Sequence, residues 1–253
     1  EKKRTWIETH LRRFAETVEK IHCTTPPEMH AALSGDARNL ESFMLRLTVK
    51  APDADTPWGK LANGVLTARL LPAAPVERPH AELELHAASA KTPWADITQL
   101  NLNLRLQSSS ADLNPVNASL ALDAASAQTQ WAEVTRFHLN LRLQSSEADT
   151  NLLNASLNLD AASAVTQWAS VTNAHFTAQW LHALTNPIPL SGHGELRADA
   201  ATSRWATAKS LQLTAALATP PHPAPADASW DWWQTLQPFD LGWTVRAVRL
   251  DTE

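Results

Sequence analysis

From Leu47 to Leu217 the apolar residues of this chain recur in step two, the period of a β-strand rather than of a helix. One set of runs reads Gly64, Leu66, Ala68, Leu70; then Leu100, Leu102, Leu104, Leu106; then Phe137, Leu139, Leu141, Leu143. The set continues with Ala174, Phe176, Ala178, Trp180 and with Leu211, Leu213, Ala215, Leu217. A second set precedes these: Leu47, Val49, Ala51; Leu83, Leu85, Ala87; Leu120, Leu122, Ala124; Leu157, Leu159, Ala161; and Leu196, Ala198, Ala200. Polar residues such as Glu82, Glu84, His86, Asn101, Asn103 and Arg105 fill the alternate places. Such alternation suits an antiparallel sheet with one wet face. A slip of one residue would turn every Leu outward, so the common phase specifies a single register.

Between the two runs of each pair stands a Trp turn: Thr56-Pro57-Trp58-Gly59, Thr92-Pro93-Trp94-Ala95, Thr129-Gln130-Trp131-Ala132, Thr166-Gln167-Trp168-Ala169 and Ser203-Arg204-Trp205-Ala206. Successive Trp are 36, 37, 37 and 37 residues apart, the signature of a repeat architecture. The stretches from Leu102 and from Leu139 are nearly identical, as after an internal duplication. The pattern predicts a mainly β fold: one long curled antiparallel sheet of about eleven strands, each about ten residues long, because an open sheet of that size curls or splits. Residues 39–218 form this repeat sheet. Residues 1–38 are expected to be helical, and 219–253 to hold a proline-rich connector, a short helix around Trp230 and Trp233, and a last strand through Leu241, Trp243, Val245 and Ala247.

In the first segment Ile7, Leu11, Phe14, Val18 and Ile21 make an apolar helical stripe over 4–23, opened by Thr5 and Glu8 and stopped by Pro26-Pro27. A second short helix is expected over Pro27 to Leu33, ended at Gly35. The first helix would cover the sheet's leading edge. Polar loops are expected at 72–80, 107–116, 144–153 and 183–191.

Composition narrows the function. The net charge is −5 with the 21 basic residues spread out, so no nucleic-acid footprint is present. A single Cys excludes an internal disulfide framework. No apolar run approaches membrane-spanning length and no signal peptide opens the sequence, while the start at Glu1 and the strand still running at Leu250 suggest a fragment. His138 and His175 occupy equivalent places roughly 9.6 Å apart across two strand spacings, too far to share a metal. Asp123 and Asp160 read as solvated strand-end charges. His22, Cys23 and His30 lack a fourth ligand. Asn117-Ala118-Ser119 and Asn154-Ala155-Ser156 fit the glycosylation pattern as repeat consensus. With no phosphate loop or nucleophile elbow, neither an enzyme nor a bound cofactor or metal is expected. The five Trp read first as plugs closing the end of the sheet, where truncation would cost about 3–5 kcal/mol. The other reading is an exposed rim for an amphiphile.

The Thr-Pro-Trp turn between alternating strands, and the ending Trp230-Asp231-Trp232-Trp233 with Pro238-Phe239-Asp240-Leu241-Gly242-Trp243, resemble the repeat region of bacterial AsmA-like proteins over about 40 to 250. That family resembles the bridge-like lipid-transfer proteins. The resemblance implies a non-enzymatic periplasmic or cell-envelope segment, with an inner-membrane anchor elsewhere in the parent protein. Its apolar trough, lined by the Leu, Val, Phe and Trp180 positions above, would carry phospholipid or another acyl-chain lipid, or serve outer-membrane biogenesis, alongside other envelope proteins. The alternative class is a structural or adhesive repeat module whose apolar face is self-packed. The small Ala51, Ala68, Ala87, Ala124, Ala161, Ala178, Ala198 and Ala215 speak for open space instead.

Overall fold

The computed structural model describes residues 20–36, 38–72, 80–108, 116–146, 149, 151–184, 186–218 and 240–252. Within them lies one antiparallel sheet: β1 (Glu28–Asp36), β2 (Asn39–Thr56), β3 (Gly59–Leu71), β4 (His80–Lys91), β5 (Ala95–Ser108), β6 (Val116–Thr129) and β7 (Ala132–Ser145), then β8 (Leu152–Thr166), β9 (Ala169–Ala183), β10 (Asn186–Ser203), β11 (Ala206–Ala218), β12 (Asp240–Arg246) and β13 (Arg249–Thr252). Each strand from β1 to β11 pairs with the next, while β12 and β13 lie end to end along β11. The sheet does not close; β1 is one edge and β12–β13 the other.

The alternating phase becomes rows that run across the sheet. Met29, Val49, Leu66, Leu85, Leu102, Leu122, Leu139, Leu159, Phe176, Leu196, Leu213 and Val245 are successive cross-strand partners from edge to edge. A second row carries Leu47, Ala68, Leu83, Leu104, Leu120, Leu141, Leu157 and Ala178. A third carries Leu70, Ala81, Leu106, Ala118, Leu143, Ala155, Trp180, Gly192 and Leu217. Cross-strand pairs of this kind are the unit of sheet stabilisation. Glycine serves this face at one crowded point: a Cβ on Gly192 would lie 2.9 Å from the Trp180 Cβ.

Strict alternation fails once in every unit. Asn63, Gln99, Arg136, Asn173 and Ser210 have positive φ, between 46° and 52°, each five residues after its Trp. The hairpin ladder has no partner at these five places, yet the pairing resumes in unchanged register on either side. A left-handed residue inside a strand reverses the side-chain phase. Ile97 and Leu100, three apart, therefore belong to one cluster, with Ala87 and Ala90, also three apart, as their partners. Leu61 packs there too. In a straight strand these pairs would face opposite ways. The kink thus carries the apolar face on to the Trp turns. Ala200, past the kink on β10, is equivalent to Ser126 and Ser163 and so lies off the apolar rows, contrary to its place in the predicted run.

Other expectations are corrected. Pro27 to Leu33 is not helical: β1 starts at Glu28 and pairs with β2, because Met29, Ala31 and Leu33 keep period two and fall opposite Val49, Leu47 and Leu45. The predicted loop at 183–191 is largely strand, since β10 begins at Asn186 and absorbs Pro189 at two register shifts. Strands run longer than expected, to 18 residues in β2 and β10. Thirteen replace about eleven because β1 forms where the sequence pattern predicts a helix and the last strand is broken in two. The predicted helix over 4–23 lies outside the described residues up to position 19; His22 forms a bridge with Asp55, and the Asp53 carboxylate accepts the amides of Thr24 and Thr25 at 2.9 and 3.2 Å. The predicted helix near Trp230 also lies outside the described residues.

The kinks yield a test. A β-branched residue in mid-strand usually helps, but at a left-handed position its Cβ is penalised. Arg136→Val is expected to destabilise by about 1–2 kcal/mol, and Arg136→Gly to be neutral or stabilising by up to about 1 kcal/mol. Chemical denaturation of the two variants checks the sign of each.

Candidate functional site

The candidate site is the apolar face, and its geometry follows from the ladders. All the predicted lining positions from β2 to β11 sit in adjacent rows, with Leu100, Phe137 and Leu211 next to Ala87, Ala124 and Ala198 at the kink end. The strands make more than marginal contact only with their ladder neighbours, so among the described residues no second layer covers this face. No side chain there is completely buried: the buried apolar residues are mostly Ala, with Leu100 and Leu153 the exceptions, and the Leu rows are half-exposed. A sheet this wide ordinarily buries its large apolar residues against another layer.

The five Trp turns stand in line at one end of the sheet, joining β2 to β3, β4 to β5, β6 to β7, β8 to β9 and β10 to β11. Two strand spacings place neighbouring indoles roughly 9.6 Å apart. They are not plugs. Their exposure ranges from 53% at Trp168 to 68% at Trp94. What closes each turn is the preceding hydroxyl. Thr129 Oγ1 accepts the Trp131 and Ala132 amides at 3.1 and 2.9 Å and donates to the Ala132 carbonyl at 3.1 Å. Thr92, Thr166 and Ser203 repeat this set, and Thr56 repeats it for Trp58 and Gly59 without the second amide bond. The Arg204 guanidinium lies 4.1 Å from the Trp205 ring centroid, a cation–π contact on the rim.

The opposite face is polar and organised by charge. Arg69 lies between Glu82 and Glu84 at 3.6 and 3.4 Å, and Arg105 approaches Glu82 at 3.9 Å. Farther along, Asp123, His138, Asp160, His175 and Arg197 are consecutive cross-strand partners, so carboxylate and imidazole alternate before the row reaches Arg197. His138 Nδ1 bonds Asp123, and the Asn140 amide lies 2.6 Å from Nε2; His175 Nδ1 bonds Asp160. Asp123 and Asp160 are therefore mid-strand ladder members, not strand-end charges, and both nitrogens of His138 are engaged. Among the described residues no three His, Cys, Asp or Glu side chains gather as a metal site, and His22 and His30 are separated along an extended chain.

Glu195 accepts the Arg197 Nε at 2.7 Å and a Gln212 amide, which hold its carboxyl below the ordinary range. His182, opposite Leu153 on β8, has a buried Nδ1 without a hydrogen bond, and burial pushes its pKa down. A concavity of about 650 Å³ lies at the end remote from the Trp turns. Its lining mixes Arg142, Gln144, Asn154, Gln179 and His193 with Ala155, Trp180, Gly192 and Leu217, so it meets the apolar face only at the far end of the third row.

The αL kinks and the Asp–His row were not read from the sequence alone. The kink has a signal there, the step of three between apolar residues at Leu61/Gly64, Ile97/Leu100 and Val134/Phe137. The Asp–His row becomes visible once the register is known. Comparison with family models, curated proteins and solved structures finds no match to the chain.

Two tests follow. Trp131→Ala and Trp168→Ala are expected to cost less than about 1 kcal/mol, as exposed substitutions do. Thr129→Val, which unmakes the turn's hydroxyl bonds, is expected to cost about 1–2 kcal/mol; denaturant titration ranks the three. The second concerns pH. His182 has a folded-state pKa below its unfolded value, near 6.5, so only the unfolded chain takes up its proton in the window between them. Its contribution is intact above about pH 6.5 and is lost as pH falls through that window. A His182→Gln variant should lose less melting temperature than the parent between pH 7.5 and 5.5; an equal loss would remove His182 from the account.

Proposed function

We propose that this chain is a non-enzymatic segment of a cell-envelope protein, whose sheet curls around its Leu rows to make a trough for the acyl chains of phospholipid or a similar lipid. The observation that carries this reading is the uncovered apolar face. Rows of Leu continue across ten strands, β2 to β11, yet among the described residues no second layer meets them. Exposed apolar patches beyond a few hundred square ångströms mark interaction or ligand surfaces. An acyl chain needs no hydrogen-bond partner and fits the first two of these rows, whose side chains offer none. Right-handed sheet twist, together with one kink per unit, favours curling of so many strands. The Trp rim suits the boundary between that apolar path and water, since indole has an apolar body and one N–H.

The periplasmic setting, the inner-membrane anchor in the parent protein, partner envelope proteins and a role in lipid transfer or outer-membrane biogenesis come from the resemblance to AsmA-like repeats. A self-packed adhesive module is the weaker reading, because it requires a covering layer.

Leu104 and Leu141 lie in the second row, both directly opposite Leu120, while Asn103 takes the intervening polar phase. A carboxylate at Leu104 must lose hydration or interrupt the apolar path, whereas one at Asn103 stays in water. Leu104→Asp and Leu141→Asp are expected to reduce co-purified or photo-crosslinked lipid several-fold, with Asn103→Asp unchanged. Asn103 is a better control than Asn140, whose amide engages His138. Equal lipid in all the variants, each folded by circular dichroism, would overturn the trough.

A further inference from the structure

The two edges of the sheet are complementary by repeat equivalence. Within the sheet, Thr129 and Thr166, the last residues of first strands, pair with Ala95 and Ala132 of the preceding unit. At the far edge Thr252 pairs with Ala206 in the same way, and Val245 pairs with Leu213 as Leu159 pairs with Leu139. The strand formed by β12 and β13 thus stands where the first strand of a sixth unit would stand. At the near edge Met29 pairs with Val49 as Leu139 pairs with Leu159, so β1 stands where a second strand would. First and second strands are what each internal hairpin joins.

We propose that these edges pair with one another between two copies of this chain, β12 of one copy against β1 of the next, antiparallel and in the register of an internal hairpin. That register is fixed by the repeat: Leu159 opposite Phe176 and Leu157 opposite Ala178 in β8–β9 become Val245 opposite Met29 and Trp243 opposite Ala31. The apolar row through Val49 and Leu213 would then run unbroken from one copy into the next. On the polar face, the place held by Asp160 and His175 becomes Arg246 opposite Glu28, a pair of opposite charges. Glu28 already has Lys50 at 3.6 Å on its other side, so it would lie between two cations.

Among the described residues no strand pairs with the outer side of either edge. Every described residue of β1 is exposed, as are β13 and residues 242–246 of β12, with Met29 at 60% and Trp243 at 69%. Neither Glu28–Ser34 nor Asp240–Arg246 contains the Pro or Lys with which edge strands commonly resist pairing. Because the contact joins unlike edges, it does not close at a dimer. The inference stands apart from the lipid reading, since it uses only strand edges.

Sedimentation velocity of the 253-residue chain over a concentration series is expected to show species growing past the dimer. Arg246→Glu should raise the concentration for half-assembly about threefold or more, and Glu28→Arg with Arg246→Glu should restore assembly. Register is read separately in a Cys23→Ser background: Met29→Cys with Val245→Cys should give an oxidant-dependent ladder of multimers, and Met29→Cys with Thr244→Cys should not. A constant monomer mass, assembly indifferent to Arg246→Glu, or equal crosslinking of the two cysteine pairs would each overturn the proposal.

Discussion

Cross-strand matching of large apolar residues on one side of a single layer is the interaction on which this structure depends. In most sheets a covering helix or second sheet provides half of the burial, and rows within one layer are secondary. Here the rows are the main apolar contacts among the described residues, each Leu meeting a neighbour above and below on adjacent strands. That arrangement tolerates no slip of register, because displacement by one residue would exchange the Leu face for the polar one. Duplicated units keep the match automatically: a unit that pairs with itself pairs with its copies.

The Trp turn and the left-handed residue five positions later solve a shared geometric problem. The turn joins two long strands without the positive-φ pair usual in two-residue hairpins, and the hydroxyl of the first strand's last residue, bonded to the Trp amide and to the next strand's first residue, holds it instead. The kink then reverses the side-chain phase, so apolar residues on both sides of it face the same way. Without that reversal the face would change from apolar to polar before reaching the turn. Asn at two of the five kinks is chemically apt, since its side chain tolerates the left-handed region. Gly59, at φ +145°, is needed where it stands, because a Cβ there would come within 2.2 Å of the Lys91 carbonyl.

The polar face shows how charge is handled when every strand repeats its neighbour. Identical units would place like charges opposite one another, which destabilises a sheet. Asp123 and Asp160 are instead on first strands and His138 and His175 on second strands, so no two of these carboxylates are direct cross-strand partners and each imidazole faces at least one. Around Glu82 the same logic uses two arginines.

The sequence by itself determined the period, the place of each turn and which residues form the three apolar rows remote from the kinks, because period-two alternation and repetition are local properties written directly in residue order. It also left no internal disulfide framework to consider, since the chain has a single Cys. What only the tertiary structure decided concerns groups brought together across strands. The exposure of Trp131 and Trp168 depends on whether anything caps the sheet end, which no local pattern records. Pro26-Pro27 and Gly35 imitate helix boundaries, so local signals predict a helix over Pro27 to Leu33; the edge of β2, with its open ladder, makes that stretch part of β1 instead. The Asp–His row required a register relating residues 15 apart, and the kinks required a backbone conformation that Gln99 or Arg136 would not adopt by intrinsic preference. These are long-range constraints, imposed by ladders on both sides of a strand, and they override local propensity.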